Sequence, residues 1–325
     1  MGDKLTKGEN RIAYFAKGFG LYYLPSFVNN IVYGIDPAKF SENEKEEIDR
    51  RASYYVRLPE GSQISREGSI TVGEFKYPFH QKKKHSTYFF DLYPYVRKYP
   101  SSYRFNYLSG DVDWNLPEPT FVKSRPVVDG CSNSVVCRLN SVRHFRFVDD
   151  PFSFRSKDDI VVSRNYVVQP WRIALMERWF GTPGTDFGQI NQEGGKQEWI
   201  RPFLTVEEQL RHKFIMCVRG NDVATNLKWV MSSNSVAVMP KPDVESWYME
   251  GLLIPDYHYI EVKPDYSDLM DKLEWYKSNP EAAEEIIRNA HEWVERFRNP
   301  RIEKATMTEV VKRYFNCTTK REYKV

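Results

Sequence analysis

The chain has 325 residues, with 47 Lys and Arg against 44 Asp and Glu, a formal net charge of +3. Hydrophobic residues make up 41% and aromatics 15%, enough apolar mass for a substantial core, which excludes disorder as the main state. The near-balance of charge argues against a dedicated nucleic-acid binder, whose mark is a strongly basic face. At roughly 150 residues per domain, the length fits two domains or one large one.

No apolar run reaches the roughly 18 residues of a membrane span. The most lipid-like segment, residues 12–27, is broken by Lys17, Gly18, Gly20 and Pro25. It lacks a signal-peptide apolar core and a small-residue cleavage site. The expectation is a cytoplasmic protein with at most peripheral membrane association. Cys131, Cys137, Cys217 and Cys317 form no Cys-x-x-Cys pair, so they are expected as free thiols in a reducing compartment. The lone sequon at Asn316 carries little weight for secretion. The charge run at residues 81–85 is expected as a solvated loop.

In chain order, residues 43–55 predict a helix and residues 91–98 a second one. Residues 105–111, 120–127 and 135–139 predict strands. A break near Asp149-Asp150-Pro151 suits a lobe boundary, because proline disfavours helix before it and the flanks are polar. This gives an α/β lobe over 1–150, a second over 151–300 and a tail over 301–325 that can pack back on the first. In the second lobe, residues 160–162, 214–218, 235–239 and 257–262 are short apolar runs, the last three closed by Gly220, Pro240 and Pro264. Such runs suit strands buried on both faces. Helical periodicity falls at 222–233, 267–277 and 280–298. The last has Pro280 at its start, early glutamates and late arginines. Alternating strands and helices predict a parallel, Rossmann-like sheet. Ligands bind beyond the carboxyl ends of such strands, which makes the loops after Val218 and Met239 candidates.

Several clusters could carry chemistry. Residues 218–229 read as a buried strand, a glycine and a helix start. Backbone amides from Gly220, Asn221, Asp222, Ala224, Thr225 and Asn226 could there face a phosphate. Plain helix capping by Asn221 or Asp222 is the alternative. The segment matches neither dinucleotide nor P-loop fingerprints. Arg164 and Arg172 flank a strand-to-helix connection, and arginine's fork matches phosphate oxygens. Asp111-Val112-Asp113 follows a predicted strand; such a pair can hold a divalent metal, serve as a general base or simply face water. Lys123 and Arg125 place two cations at another strand end. Glu245 and Glu250 flank a predicted short aromatic helix over 246–249, where a carboxylate could accept ribose hydroxyls. His258 sits in an apolar run and reads as a core residue.

These blocks together resemble glycosyltransferase family 90, in particular its lipopolysaccharide-core branch. The matching text includes Tyr88 to Tyr93, Phe105 to Val112, Val122 to Pro126, Leu139 to Phe145, Gly220 to Trp229, Met239 to Pro242 with Glu245 to Gly251, and His258 to Leu269. The match covers roughly residues 85–298 in ordered blocks. The resemblance implies a GT-B architecture, two Rossmann-like lobes facing a cleft with the nucleotide mostly on the second. It implies a UDP-sugar donor, an oligosaccharide acceptor, inversion at the anomeric carbon and no obligatory metal. The sugar implied is xylose or glucose, β-linked to a surface glycan. By the same resemblance Arg164 and Arg172 face the diphosphate, residues 220–226 cradle it with Lys228 as the nearby cation, and Glu250 or Glu245 holds the ribose. Three departures stand out. Asn165 replaces the family's usual glycine, Asn226 stands where the eukaryotic branch has an arginine, and Ser124 stands where that branch has its catalytic aspartate. The base is therefore sought among Asp111, Asp113 and Asp91, in that order. A metal-dependent Asp-x-Asp transferase and a glycan-binding protein without turnover remain as alternatives.

Overall fold

A computed structural model describes residues 6–7, 10–79 and 86–319; the charge run at 81–85 lies outside them. The chain is a mixed α/β protein that divides into two compact units, each discontinuous in sequence. One unit holds Arg143–Pro242 and Glu250–Arg296, with the short strand Thr6–Lys7. The other holds the described parts of Glu9–Val142 and Phe297–Val325, together with Asp243–Met249.

The first unit is built on a five-stranded parallel sheet in the order Ile260–Glu261, Val236–Met239, His212–Met216, Asp158–Asn165, Thr185–Gln189. In chain order this is 2-1-3-4-5 read from the Thr185 edge, a doubly wound arrangement. The β-branched and apolar runs are strands because both faces are covered: Val161, Val162, Phe214, Ile215, Val236 and Val238 are all buried. Helices Pro170–Trp179, Leu269–Ser278 and Pro280–Glu295 supply the covering residues Leu175, Leu273 and Ile286. Pro280 opens the last helix at its first turn, and Ala283, Ile286, Ala290 and Trp293 form its buried stripe.

The second unit holds a four-stranded sheet of Ile70–Thr71, Arg104–Tyr107, Thr120–Val122 and Ser134–Val136. A separate antiparallel pair joins Ser124–Pro126 to Val244–Ser246. The predicted strand 120–127 is thus split at Lys123, each half bonding a different partner. Helices Arg11–Tyr23, Ser26–Tyr33, Glu42–Tyr55, Ser86–Val96 and Pro300–Thr318 complete it. Ser41 and Glu44 form a capping box on the Glu42–Tyr55 helix. Buried Arg51 pairs with Glu303 at 2.5 Å, and Trp247 Nε1 donates to the same carboxylate at 2.7 Å. Tyr55 stacks on Trp247 with centroids 4.1 Å apart.

Three predicted elements are corrected. The helix over 222–233 shrinks to Leu227–Met231, because residues 219–226 form an irregular loop of bends that ends in a turn at 225–226. Asn226 is occupied there: its Nδ2 donates to Met216 O at 2.9 Å. The helix over 246–249 is instead the end of a strand and a turn, with Met249 at φ 56°. The helix expected over 91–98 runs instead from Ser86 to Val96, which places Asp91 mid-helix. No helix among the described residues is long and apolar enough to cross a membrane. All four cysteines are free, and three are buried.

Candidate functional site

In a doubly wound sheet the crevice forms where strand order reverses. Here that point lies between Asp158–Asn165 and His212–Met216, since the chain leaves the first toward Thr185–Gln189 and the second toward Val236–Met239. A cavity of about 660 Å³ opens beyond their carboxyl ends, a size ordinary for small-molecule sites. Arg143, Arg146, Arg164 and Arg172 line it, and Glu207 is the one carboxylate among the lining residues. Tyr166, Phe203 and Trp229 add aromatic surface, and Thr225 and Asn226 come from the loop after His212–Met216. Arg164 is paired with Asp186, which leaves three guanidinium groups against the one lining carboxylate, an excess of positive charge that suits an anionic ligand.

The arginines differ in what holds them. Arg164 spends all five N–H donors on the protein. Nε donates to Pro202 O at 3.0 Å, one terminal nitrogen to Ser163 O and Asp186 O, and the other to both Asp186 carboxylate oxygens at 2.8 and 3.0 Å. It builds the cavity wall. Arg172, on the Pro170–Trp179 helix, donates to three backbone carbonyls: Arg219 O at 2.9 Å, Val218 O at 3.0 Å and Tyr166 O at 2.9 Å. It therefore fastens the loop after one strand to the end of its neighbour. Burial pulls Arg172 down to about 10, so it stays charged at neutral pH. Among the described residues, exposed Arg143 and Arg146 make no hydrogen bond or ion pair, and their charge is available to a ligand. Neither was singled out from sequence. They lie in and just after the Ser141–His144 helix, where no local pattern marks an arginine as functional.

The proposed cradle is only partly brought to the cavity. Thr225 and Asn226 line it, while Asp222 and Ala224 are buried elsewhere and Asn221 accepts from Gln169 Nε2 at 3.1 Å. A Cβ at Gly220 would meet an Arg172 nitrogen at 3.6 Å, an ordinary contact, so neither crowding nor a positive φ demands glycine there. Lys228 does not line the cavity; it is buried against Glu250 at 2.6 Å. Glu245 belongs to the other unit and is enclosed by Arg125 at 2.8 Å, Arg57 and the Tyr54 hydroxyl. Each proposed ribose carboxylate thus sits in a buried ion pair.

In the second unit, Lys123 Nζ donates to Asp111 at 2.5 Å, and the Asp111 carboxylate is about a third exposed. Val112 N donates to Ser124 Oγ at 3.1 Å. The Lys123-Ser124 pair therefore grips the Asp111 loop by side chain and backbone. Asp113 is exposed in the same loop. Among the described residues no group of three or more His, Cys, Asp or Glu is placed to hold a metal. Asp91 accepts from Tyr14 Oη, Ser141 N and Ser141 Oγ at 2.8–2.9 Å. His258 accepts from Ile254 N at 2.9 Å, and burial holds it down to about 4 as a neutral core residue.

Burial pushes the Asp91 carboxyl up to about 6, against the opposing pull of those hydrogen bonds. The folded protein thus holds this proton more tightly than the unfolded chain does. This group's contribution to stability should be full below about pH 4 and lost as the pH rises through about 6. The carboxyl carbon resonance of Asp91 should titrate near pH 6, and a midpoint near 4 would contradict it.

The cation-lined crevice at the reversal point of this α/β protein's doubly wound parallel sheet is the candidate site for an anionic small molecule. Comparison with known proteins narrows this. A family model described as glycosyl transferase family 90 matches residues 167–321, a span that includes Arg172, Thr225, Asn226 and Trp229. The chain is 40% identical over 270 residues to the O-glucosyltransferase LpsA of Dichelobacter nodosus, covering 83% of each. A shorter stretch, 103 residues at 32% identity, is similar to protein O-glucosyltransferase 3 of Rattus norvegicus, covering 31% of this chain and 19% of that one. Another, 93 residues at 36%, is similar to uncharacterized protein 179R of Invertebrate iridescent virus 6, covering 27% and 8%. The chain belongs to glycosyltransferase family 90 and is a glycosyltransferase.

Proposed function

We propose that the chain transfers glucose or xylose, with inversion, from a UDP-sugar to a hydroxyl of a surface glycan, within the GT-B architecture that the family resemblance implies. The observation that carries this reading is the arginine-rich cavity at the strand-reversal point, where Arg143, Arg146 and Arg172 face one lining carboxylate and Arg164 is held by Asp186. Its charge suits a diphosphate, and its aromatic side chains suit a base and a sugar. The glucose option rests on the similarity to the O-glucosyltransferase of Dichelobacter nodosus.

In this reading an acceptor oxygen attacks the anomeric carbon while the bond to the diphosphate breaks. Arg143, Arg146 and Arg172 take up the charge of the departing UDP. Arg164 keeps the wall rigid through Asp186. Asp111 receives the acceptor's proton. Support for Asp111 comes from Ser124. The eukaryotic branch carries an aspartate in this block; here Ser124 Oγ instead accepts from the amide of Val112. The neighbouring loop returns a carboxylate, Asp111, beside Lys123. Because a lysine ammonium already faces this carboxylate, no obligatory metal is part of the reading.

The experiment is a hydrolysis screen across UDP-sugars without acceptor, paired with calorimetric titration of UDP. Binding of UDP with slow release of one sugar is expected. No UDP binding at millimolar concentration would overturn the proposal.

A further inference from the structure

A second cavity of about 650 Å³ lies in the same unit as the arginine-lined one and shares no lining residue with it. It forms where the Leu269–Ser278 and Pro280–Glu295 helices meet the turn before Ile260–Glu261. Each helix presents a pair at i, i+4 spacing: Asp271 with Trp275, and Glu285 with Asn289. The turn adds Tyr257, and Asp256 there is fixed by Lys272 at 2.8 Å and by the Tyr276 hydroxyl at 3.0 Å.

Two features point to a ligand. Trp275 is 53% exposed and Tyr257 44%, an unusual display of aromatic surface inside a concavity. Asp271 and Glu285 make no hydrogen bond or ion pair among the described residues, which leaves two carboxylates ready to accept.

Those groups discriminate between ligands. Four carboxylates, of Asp256, Asp268, Asp271 and Glu285, line the cavity against one lysine, so a phosphate is repelled. Asp256 and Asp268 already accept from Lys272, the Tyr276 hydroxyl and Lys263 N, which leaves Asp271 and Glu285 open. A hydroxyl donates to such a carboxylate oxygen; an ammonium also pairs with it and stacks on Trp275, which makes a cation the competing ligand to test. A pyranose ring adds an apolar face for the indole.

We propose that this cavity is a saccharide-binding site, separate from the donor site, that holds neutral sugar units of a glycan. The choice of ligand, though not the site, rests on the glycosyltransferase reading.

Cellotriose and xylotriose, with tetramethylammonium as the cation control, would be titrated into the full chain while the Trp275 indole and Tyr257 ring resonances are followed. A neutral oligosaccharide should shift both. Trp275→Ala should weaken binding roughly tenfold or more, and Glu285→Gln should weaken it by less. Shifts caused by tetramethylammonium alone, oligosaccharide binding indifferent to Trp275→Ala, or no shift with either sugar would each overturn the site. UDP titrated into the same variants reports on the arginine-lined cavity. Unchanged UDP binding shows that the variants are folded and keeps the two readings separable.

Discussion

Arg172→Ala is expected to lower kcat/KM by about 10²–10³, the scale for loss of one preorganised donor at a developing anion. The geometry makes this side chain more than a charge. Its guanidinium holds the carbonyls of Tyr166, Val218 and Arg219 together, so its removal also unfastens the loop carrying Thr225 and Asn226. Arg172→Lys should not rescue the rate, because a single ammonium cannot span three carbonyls in a planar fork. Arg143→Ala and Arg146→Ala form the contrast. Neither residue has a protein partner to abandon, so each should leave the fold unchanged, raise the donor KM and lower kcat by less than Arg172→Ala does. Wild-type kinetics for Arg172→Ala, with the far-UV spectrum intact, would remove it from the mechanism.

Asp111→Asn is expected to cut kcat by about 10²–10⁴, the range for a lost general base, while UDP affinity stays the same. Asn keeps the size and an acceptor for Lys123 but cannot take the acceptor's proton. Asp113→Asn, in the same loop, should stay near wild type. Asp91 serves a different purpose: with three hydrogen bonds from Tyr14 and Ser141, it ties helix Ser86–Val96 to the Ser141–His144 turn. If Asp111→Asn turned over normally and Asp113→Asn did not, the roles within the loop would be exchanged.

The parallel sheet was legible because its strands are continuous apolar runs such as Phe214-Ile215-Met216, closed by glycine or proline. The Thr185–Gln189 strand was not, because Thr-Asp-Phe-Gly-Gln at a sheet edge carries neither β-branched enrichment nor alternation. The Pro300–Thr318 helix went unpredicted although Asn299 caps it and Pro300 opens it. Its buried Glu303 breaks the apolar stripe, and only the distant Arg51 and Trp247 explain that glutamate. The site follows the same logic. Arg172's place at the cavity follows from its position by a strand-to-helix connection, since the crevice of such a sheet lies beyond the strands' carboxyl ends. Lys228, Glu245 and Glu250 looked equally available, yet each is consumed by a partner distant in sequence: Glu250 for Lys228, Arg125 for Glu245. Spacing along a chain says which groups sit at strand ends, and not which of them have already found an opposite charge.

The interleaving of the two units along the chain has a practical consequence for anyone dissecting the protein. Because Asp243–Met249 interrupts one unit and belongs to the other, no pair of cleavage points yields either piece intact. A fragment begun near residue 150 would carry Val244–Ser246 without the Ser124–Pro126 ribbon it zips to. A fragment ended there would lack Glu303, leaving the Arg51 cation entombed without its anion. Limited proteolysis should therefore give an all-or-nothing digest in place of two durable halves.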